Sequence, residues 1–241
     1  NELNLALTGS TDFGLEWGGT GRGAGSSFKP FVLAEAMRQD VSLNSKFNAP
    51  GSMTFPGVPG EKPGEDWKVG NYGGTEQGVL DIVDATRVSS NTAYAQLMLQ
   101  VGPQAVADLA GRLGVNAELP AVPSLVLGSG DVSPLDMASA YATLAAGGVY
   151  SEPTAIRRVV LPNGKEDTKA GWGSPKRTRV IPDGVAGKVT EILEDNVSYG
   201  TGTRAAFGRP AAGKTGTTDK HADAWFVGYT PELATAVWMG Y

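Results

Sequence analysis

Residues 26–40, SSFKPFVLAEAMRQD, are apolar on almost every side. Phe28, Phe31, Val32, Leu33, Ala34, Ala36 and Met37 leave little polar face, which predicts a buried central helix. Pro30 fits there, because the first-turn N–H groups of a helix have no intrahelical partner. Helical spacing recurs over residues 75–90, with a cap expected at Thr75, and then over 91–101. Residues 103–115 begin at Pro103 and stop at Gly114. Residues 133–148 have Ser133 as N-cap, Pro134 in the first turn and Gly147-Gly148 as the stop. A further helix is predicted over 183–200. The pattern then changes. PAAGKTGTT, ADAWFVGYT and LATAVWMGY read as strands, the last two paired antiparallel across a short Pro-containing turn. Asn163-Gly164 predicts a hairpin within residues 154–167. Residues 1–25 are Gly-rich and aperiodic, and residues 48–67 are so dense in Pro and Gly that they predict a long loop.

Composition narrows the function classes. With 41% hydrophobic and 19% charged residues, the 241-residue chain is globular rather than disordered. Its net charge of −5 argues against a nucleic-acid partner. No run approaches the roughly 18 apolar residues of a membrane span, and the sequence as given opens without a leader pattern. There is no cysteine, so disulfides, thiolate metal sites and a Cys nucleophile are excluded; this fits an exported bacterial protein. The single histidine, His221, would have to serve any Ser-His-Asp triad or zinc site, and in TDKHAD it reads as a solvated loop residue. No metal and no cofactor are expected.

One stretch, GRPAAGKTGTT, fits two chemistries. Gly208, Gly213, Lys214 and Thr215 match a phosphate-binding loop. That loop needs a strand before it and a helix after it. Here a helix precedes and strands follow, and too few residues remain for such a fold, so no nucleotide is expected. The overlapping Lys214-Thr215-Gly216 instead fits the basic strand of a serine acyltransferase. That chemistry needs a serine with a lysine one helical turn on, as at Ser26-Ser27-Phe28-Lys29. Ser89-Ser90-Asn91 between the two resembles the Ser-x-Asn that accompanies these elements in β-lactamases and penicillin-binding proteins. Each piece alone reads as a cap, a turn or a strand end; the ordered trio is specific.

GAGSSFKPF, SSNTAYAQL, LGSGDVSPLDMASAYATLAAGGVY and AAGKTGTTDKHADAWFVGYTP together resemble the transpeptidase domain of class A, bifunctional penicillin-binding proteins. The resemblance covers nearly the whole chain. It implies an α/β (α+β) fold of the β-lactamase/transpeptidase type, an antiparallel sheet packed with helices plus an all-helical subdomain. Residues 1–241 would form one penicillin-binding transpeptidase domain. The first two strands of the family sheet are not recognisable before Ser26, and the family's glycosyltransferase domain and membrane anchor are not in this sequence. The implied activity is a D,D-transpeptidase or carboxypeptidase that crosslinks peptidoglycan stem peptides through a serine acyl-enzyme and is acylated by β-lactams. The implied location is the extracytoplasmic face of a bacterial membrane, held only by an anchor outside this chain. Other cell-wall synthesis proteins are the expected partners.

Roles follow residue by residue. Ser26 is the expected nucleophile. Lys29 is the expected base, which must be neutral to act; burial and the neighbouring cation Lys214 would lower its pKa. Ser89 would relay a proton to the leaving amine, and Asn91 would bond the donor peptide. By resemblance, the amides of Ser26 and Thr217 hold the oxyanion, while Lys214, Thr215 and Thr217 bind the terminal carboxylate. Thr218 is counted among the substrate-binding positions. Gly216 would keep the strand edge clear for substrate. Ser90 stands where β-lactamases typically carry Asp. A β-lactamase would add a glutamate-activated water, and neither Glu118 nor Glu152 has that context. A penicillin-sensing receptor would keep Ser-x-x-Lys, but GKTGTT…DAWFVGYTP favours the class A enzyme.

Overall fold

The computed structural model describes residues 21–60, 62–218 and 222–240. The loop expected over residues 1–20 and the solvated His221 lie outside them. In chain order, β1 (Arg22–Gly23) leads through a 3-10 turn, Gly25–Phe28, into α1 (Lys29–Arg38). Then come β2 (Phe47–Asn48), β3 (Ser52–Pro59), β4 (Asp66–Gly70) and β5 (Val79–Leu80). The helices α2 (Ile82–Arg87), α3 (Asn91–Val101) and α4 (Pro103–Leu113) follow, then β6 (Asp131–Val132) and α5 (Pro134–Ala145). The chain continues with β7 (Val149–Ser151), β8 (Arg177–Arg179) and α6 (Asp183–Tyr199). It closes with β9 (Ala212–Thr217), β10 (Asp223–Tyr229) and β11 (Ala234–Gly240).

Helix α1 is the centre of the core. Phe31, Val32, Leu33, Ala34 and Ala36 are wholly buried, and the helix packs against α3, α4 and α6. The largest sheet is antiparallel, in the order β11-β10-β9. Its period-2 alternation turns Trp225, Val227 and Tyr229 toward the helices. Rings bridge the layers edge to face: Phe28 to Phe31 at 4.9 Å, Phe31 to Tyr141 at 5.9 Å, and Tyr141 to Tyr229 at 6.1 Å. This path runs from the Gly25–Phe28 turn through α1 and α5 to the sheet, so the helical and sheet layers share one core.

The mixed helix-and-antiparallel-sheet architecture is the one expected, with local corrections. Residues 21–25 are not all loop, because β1 pairs with β6. The α-helix begins at Lys29, and Ser26 lies on the preceding 3-10 turn. Residues 48–67 are not one long loop: β3 and β4 form a hairpin, Met53 opposite Val69 and Phe55 opposite Trp67, with a register shift between Phe55 and Pro59. The bulge accommodates the prolines, and buried Trp67 and Val69 supply the apolar face. The helix expected from Thr75 starts only after Asp81, whose side chain accepts the Asp84 N–H at 2.8 Å; residues 79–80 are strand instead. The Asn163-Gly164 hairpin shrinks to a turn closed by one bridge, Val160 to Glu166.

Ser133 caps α5 as its sequence suggests. Its hydroxyl accepts the Asp136 N–H at 3.1 Å, and Asp136 Oδ2 accepts the Ser133 N–H at 3.1 Å. Ser133→Ala removes one half of this reciprocal pair. It should lower unfolding free energy by about 1 kcal/mol, read as a shifted denaturant midpoint at unchanged slope.

Candidate active site

Four chain segments meet at one place: the 3-10 turn, the α2–α3 junction, the end of β4 and β9. A 3-10 turn has three residues per turn, so Ser26 and Lys29 project from the same side. Of the two adjacent serines, Ser27 is fully buried and donates its hydroxyl to Ala24 O at 2.7 Å. The Ser26 side chain is half-buried and makes no hydrogen bond with a described residue.

Lys29 Nζ is fully buried and meets Ser89 O at 2.7 Å, Asn91 Oδ1 at 2.8 Å and Ser89 Oγ at 3.3 Å. It also lies 5.4 Å from the centroid of the Tyr94 ring. Lys214, equally buried on β9, donates to the same Ser89 Oγ at 2.8 Å and to Thr215 O at 3.3 Å. Ser89 can present both its carbonyl and its hydroxyl because its backbone is left-handed, at φ 57°, which is uncommon for a non-glycine residue. Burial pushes the Lys29 pKa well below its usual value, and the charge of Lys214 pushes it further. Burial brings Lys214 down to about 7. Neither amine is paired with a carboxylate among the described residues.

Backbone contacts hold the serine turn to β9. A Cβ on Gly216 would lie 2.2 Å from Ala24 O and 3.1 Å from Ser27 N. The glycine is therefore required by the turn beneath it, not, as expected, by substrate along the edge. Gly25, at φ +57°, would place a Cβ 2.6 Å from Thr217 N. The Thr218 N–H bonds Asp223 O at 3.1 Å. By antiparallel alternation the Thr217 N–H then points away from β10, toward the outer edge of β9 beside the Ser26 turn.

The other expected residues divide. Thr217 is exposed at the strand end, and the Thr215 hydroxyl pairs with that of Thr201 at 2.9 Å. Thr218 is not in the group: its hydroxyl bonds Asp223 Oδ2 at 2.9 Å and receives the Asp223 N–H at 2.9 Å, closing the β9–β10 turn. Asn91 Nδ2 gives one hydrogen to Gly70 O at 2.8 Å, so one remains for a ligand. Sequence reading missed Asn71, Thr201, Asn196 and Asp223. Asn196 donates to Gly213 O at 2.8 Å, tying α6 to the first half of β9. The NYGG and GTGT stretches carried no chemical signal, because their polar groups act through partners distant in sequence.

A family model described as the penicillin-binding protein transpeptidase domain matches residues 21–241. The chain belongs to this transpeptidase family. It is 37% identical over 248 residues to penicillin-binding protein 1A of Mycobacterium tuberculosis, covering 94% of this chain and 29% of that protein. It is 37% identical over 253 residues to the Mycolicibacterium smegmatis protein of the same name, covering 96% and 31%. The domain thus spans under a third of these relatives. Among solved structures, PonA1 from Mycobacterium tuberculosis in complex with penicillin V superposes with TM-score 0.77 at 38% identity, covering 91% of this chain and 60% of that one. The D,D-transpeptidase domain of a peptidoglycan glycosyltransferase from Eggerthella lenta gives TM-score 0.74 at 28% identity, covering 95% and 62%.

The Gly216 contact makes a matched test. Gly216→Ala forces backbone against backbone and should cost roughly 1–3 kcal/mol. Gly111→Ala, in α4 with nothing within 4 Å of the new Cβ, should stabilise by roughly 0.5–1 kcal/mol. Urea unfolding of the two variants beside the parent reads both signs.

Proposed function

We propose that this domain is a serine D,D-transpeptidase that crosslinks peptidoglycan stem peptides and is acylated by β-lactams. The supporting observation is one hydroxyl, Ser89, shared by two buried lysines beside a half-buried serine. Two ammoniums around a single hydroxyl, with no carboxylate paired to either among the described residues, favour loss of one proton. Lys29, under both burial and the Lys214 charge, is the amine that gives it up. Lys214 then donates to the Ser89 oxygen, and neutral Lys29 keeps its two hydrogens on Ser89 O and Asn91 Oδ1, which leaves its lone pair for Ser26.

The neutral Lys29 takes the Ser26 hydroxyl proton as Oγ attacks the penultimate D-Ala carbonyl. The Ser26 and Thr217 amides stabilise the oxyanion; one such donor is typically worth about 3–4 kcal/mol. The C–N bond then breaks, and the proton passes from Lys29 through Ser89 to the departing D-Ala amine. An acceptor amine adds to the ester carbonyl and loses a proton to Lys29. Ser26 leaves and is reprotonated, giving the crosslink; water in place of the amine gives carboxypeptidase turnover. Lys214, Thr215 and Thr217 hold the donor's terminal carboxylate, and Asn91 its backbone. Thr218 is left out of that set because its hydroxyl serves Asp223. No helix among the described residues is long and apolar enough to cross a membrane. We place the domain on the extracytoplasmic face of the bacterial membrane, carried by an anchor outside this sequence.

Incubation with penicillin should add one drug mass per chain, mapped to the peptide containing Ser26 and absent in Ser26→Ala. An adduct on Ser27 or Ser89 would overturn the nucleophile, and rapid drug hydrolysis would favour a β-lactamase. Lys29→Arg should not acylate, because guanidinium stays protonated; full activity there would make Lys29 only a charge.

The acylation rate should follow a bell in pH. It rises as Lys29 loses its proton, below the usual lysine range, and falls as Lys214 loses its charge around and above about 7. Lys214→Arg should keep the rising limb and lose the falling one. Stopped-flow rates from acid to alkaline pH check both limbs.

A further inference from the structure

Asn71, the residue after β4, is nearly buried and uses both ends of its amide on other segments. Its Nδ2 donates to Pro50 O at 3.0 Å and Thr75 O at 3.1 Å. Its Oδ1 accepts the backbone N–H of Asn91 at 2.8 Å and of Thr92 at 3.1 Å, with the Thr92 hydroxyl at 3.3 Å. These two N–H groups open α3 and have no partner inside the helix. The neighbouring Gly70 carbonyl meanwhile accepts from Asn91 Nδ2, which leaves Asn91 Oδ1 facing Lys29. The end of β4 thus grips Asn91 by backbone and side chain at once. Two residues upstream lies Ser89, with its left-handed backbone.

We propose that Asn71 is the positioning residue of the two-lysine site: it fixes the start of α3 and so holds Ser89 and Asn91 against Lys29 and Lys214. The proposal rests on the reading that Ser26 is acylated. Asn71 touches neither lysine and no reacting atom; it acts through the α3 backbone. A helix cap with no other duty would affect stability alone, so the test must read the site.

Among the described residues, the titratable groups facing Lys29 are Lys214 from β9 and Tyr94 from α3. The loop that follows Asn71 carries one carboxylate, Glu76, which accepts the N–H of Gly51 at 3.3 Å, while the Gly51 carbonyl accepts the Asn71 N–H at 2.9 Å. Asn71→Ala removes the acceptor and both donors. Ser89 and Asn91 can then drift from Lys29, and acylation by penicillin should slow at least tenfold, since small misplacements at a reacting centre cost up to about a hundredfold. The protonated form of Lys29 loses acceptors, so the rising limb of the rate profile should move to lower pH. Asn71→Asp keeps the acceptor that caps α3 and so protects the fold. It loses the two donors and adds a negative charge, so its rising limb should move to higher pH, by up to about one unit, with a rate above that of the Ala variant. Ser133→Ala supplies the control for stability loss alone, at an unshifted profile.

Stopped-flow acylation across pH, with near-UV circular dichroism to establish folding, separates the outcomes. Opposite shifts in the two variants carry the proposal. A folded Asn71→Asp domain with the wild-type rate and a superimposable profile would overturn it and leave Asn71 as a cap. A wild-type domain that forms no adduct at Ser26 would instead sink the acyl-enzyme reading itself.

Discussion

Two fully buried lysine amines share one hydroxyl, and neither is paired with a carboxylate among the described residues. The two Nζ atoms lie 3.3 Å and 2.8 Å from the same oxygen, so they are no more than about 6 Å apart; even at that limit, with an effective dielectric near 20, two ammonium charges repel by roughly 3 kcal/mol, about two pKa units. Burial penalises each charge besides. The cheapest relief is loss of one proton, and the geometry decides which amine loses it. Burial beside a second cation is what suits an ordinarily cationic lysine to the proton-acceptor role proposed for Lys29. The carboxylate of Asp223 belongs to the far end of the β9–β10 pair, where Thr218 and the Trp238 Nε1–H at 2.9 Å take it.

Keeping two like charges together requires stiff surroundings, and the fold supplies them with close backbone packing and rigid aromatic side chains. Gly216 and Gly25 let the serine turn and β9 approach at distances where any Cβ would collide. The Trp225 Nε1–H bonds Gly23 O at 2.8 Å, fastening the strand next to Lys214 to the segment that leads into Ser26. The aromatic path Phe28–Phe31–Tyr141–Tyr229 backs the turn from the other side, and the Tyr141 hydroxyl donates to Ser27 O at 2.7 Å. Ser26 therefore projects from a platform pinned on both faces.

What the sequence disclosed follows from this division. The groups proposed to do chemistry sit in short local spacings, so Ser26, Lys29, Ser89, Asn91 and Lys214 could be named as candidates without coordinates, and the fold brings Lys29, Ser89, Asn91 and Lys214 together. The central helix and Ser133 cap were legible too, because apolar crowding and capping are local. The β3–β4 hairpin was not: its Pro and Gly density masked the alternation of Met53, Phe55, Trp67 and Val69, and register there depends on a bulge. Thr218 was misplaced because a threonine in a motif looks alike whether it faces the cleft or the turn. Gly216 was assigned to the substrate because the residues beneath it lie almost two hundred positions away in the chain. Asn71 carries nothing local at all; its meaning exists only where two distant backbones meet.

The edge of β9 shows how stability and binding divide one strand. An open strand edge invites any extended chain to pair with it, and proteins normally blunt it. Here α6 blunts half: Asn196 takes the Gly213 carbonyl, and Thr201 engages Thr215 from the loop that follows the helix. Beyond Thr215 the edge is left to the Thr217 N–H and hydroxyl, beside Ser26. If a stem peptide binds as proposed, it adds to β9 as a short strand. The covered half limits how far it can slide, so its scissile carbonyl has one register in which to meet the serine. Specificity for the end of a peptide then needs no deep pocket. It follows from where the helix stops covering the strand and from the charge of Lys214 at that boundary.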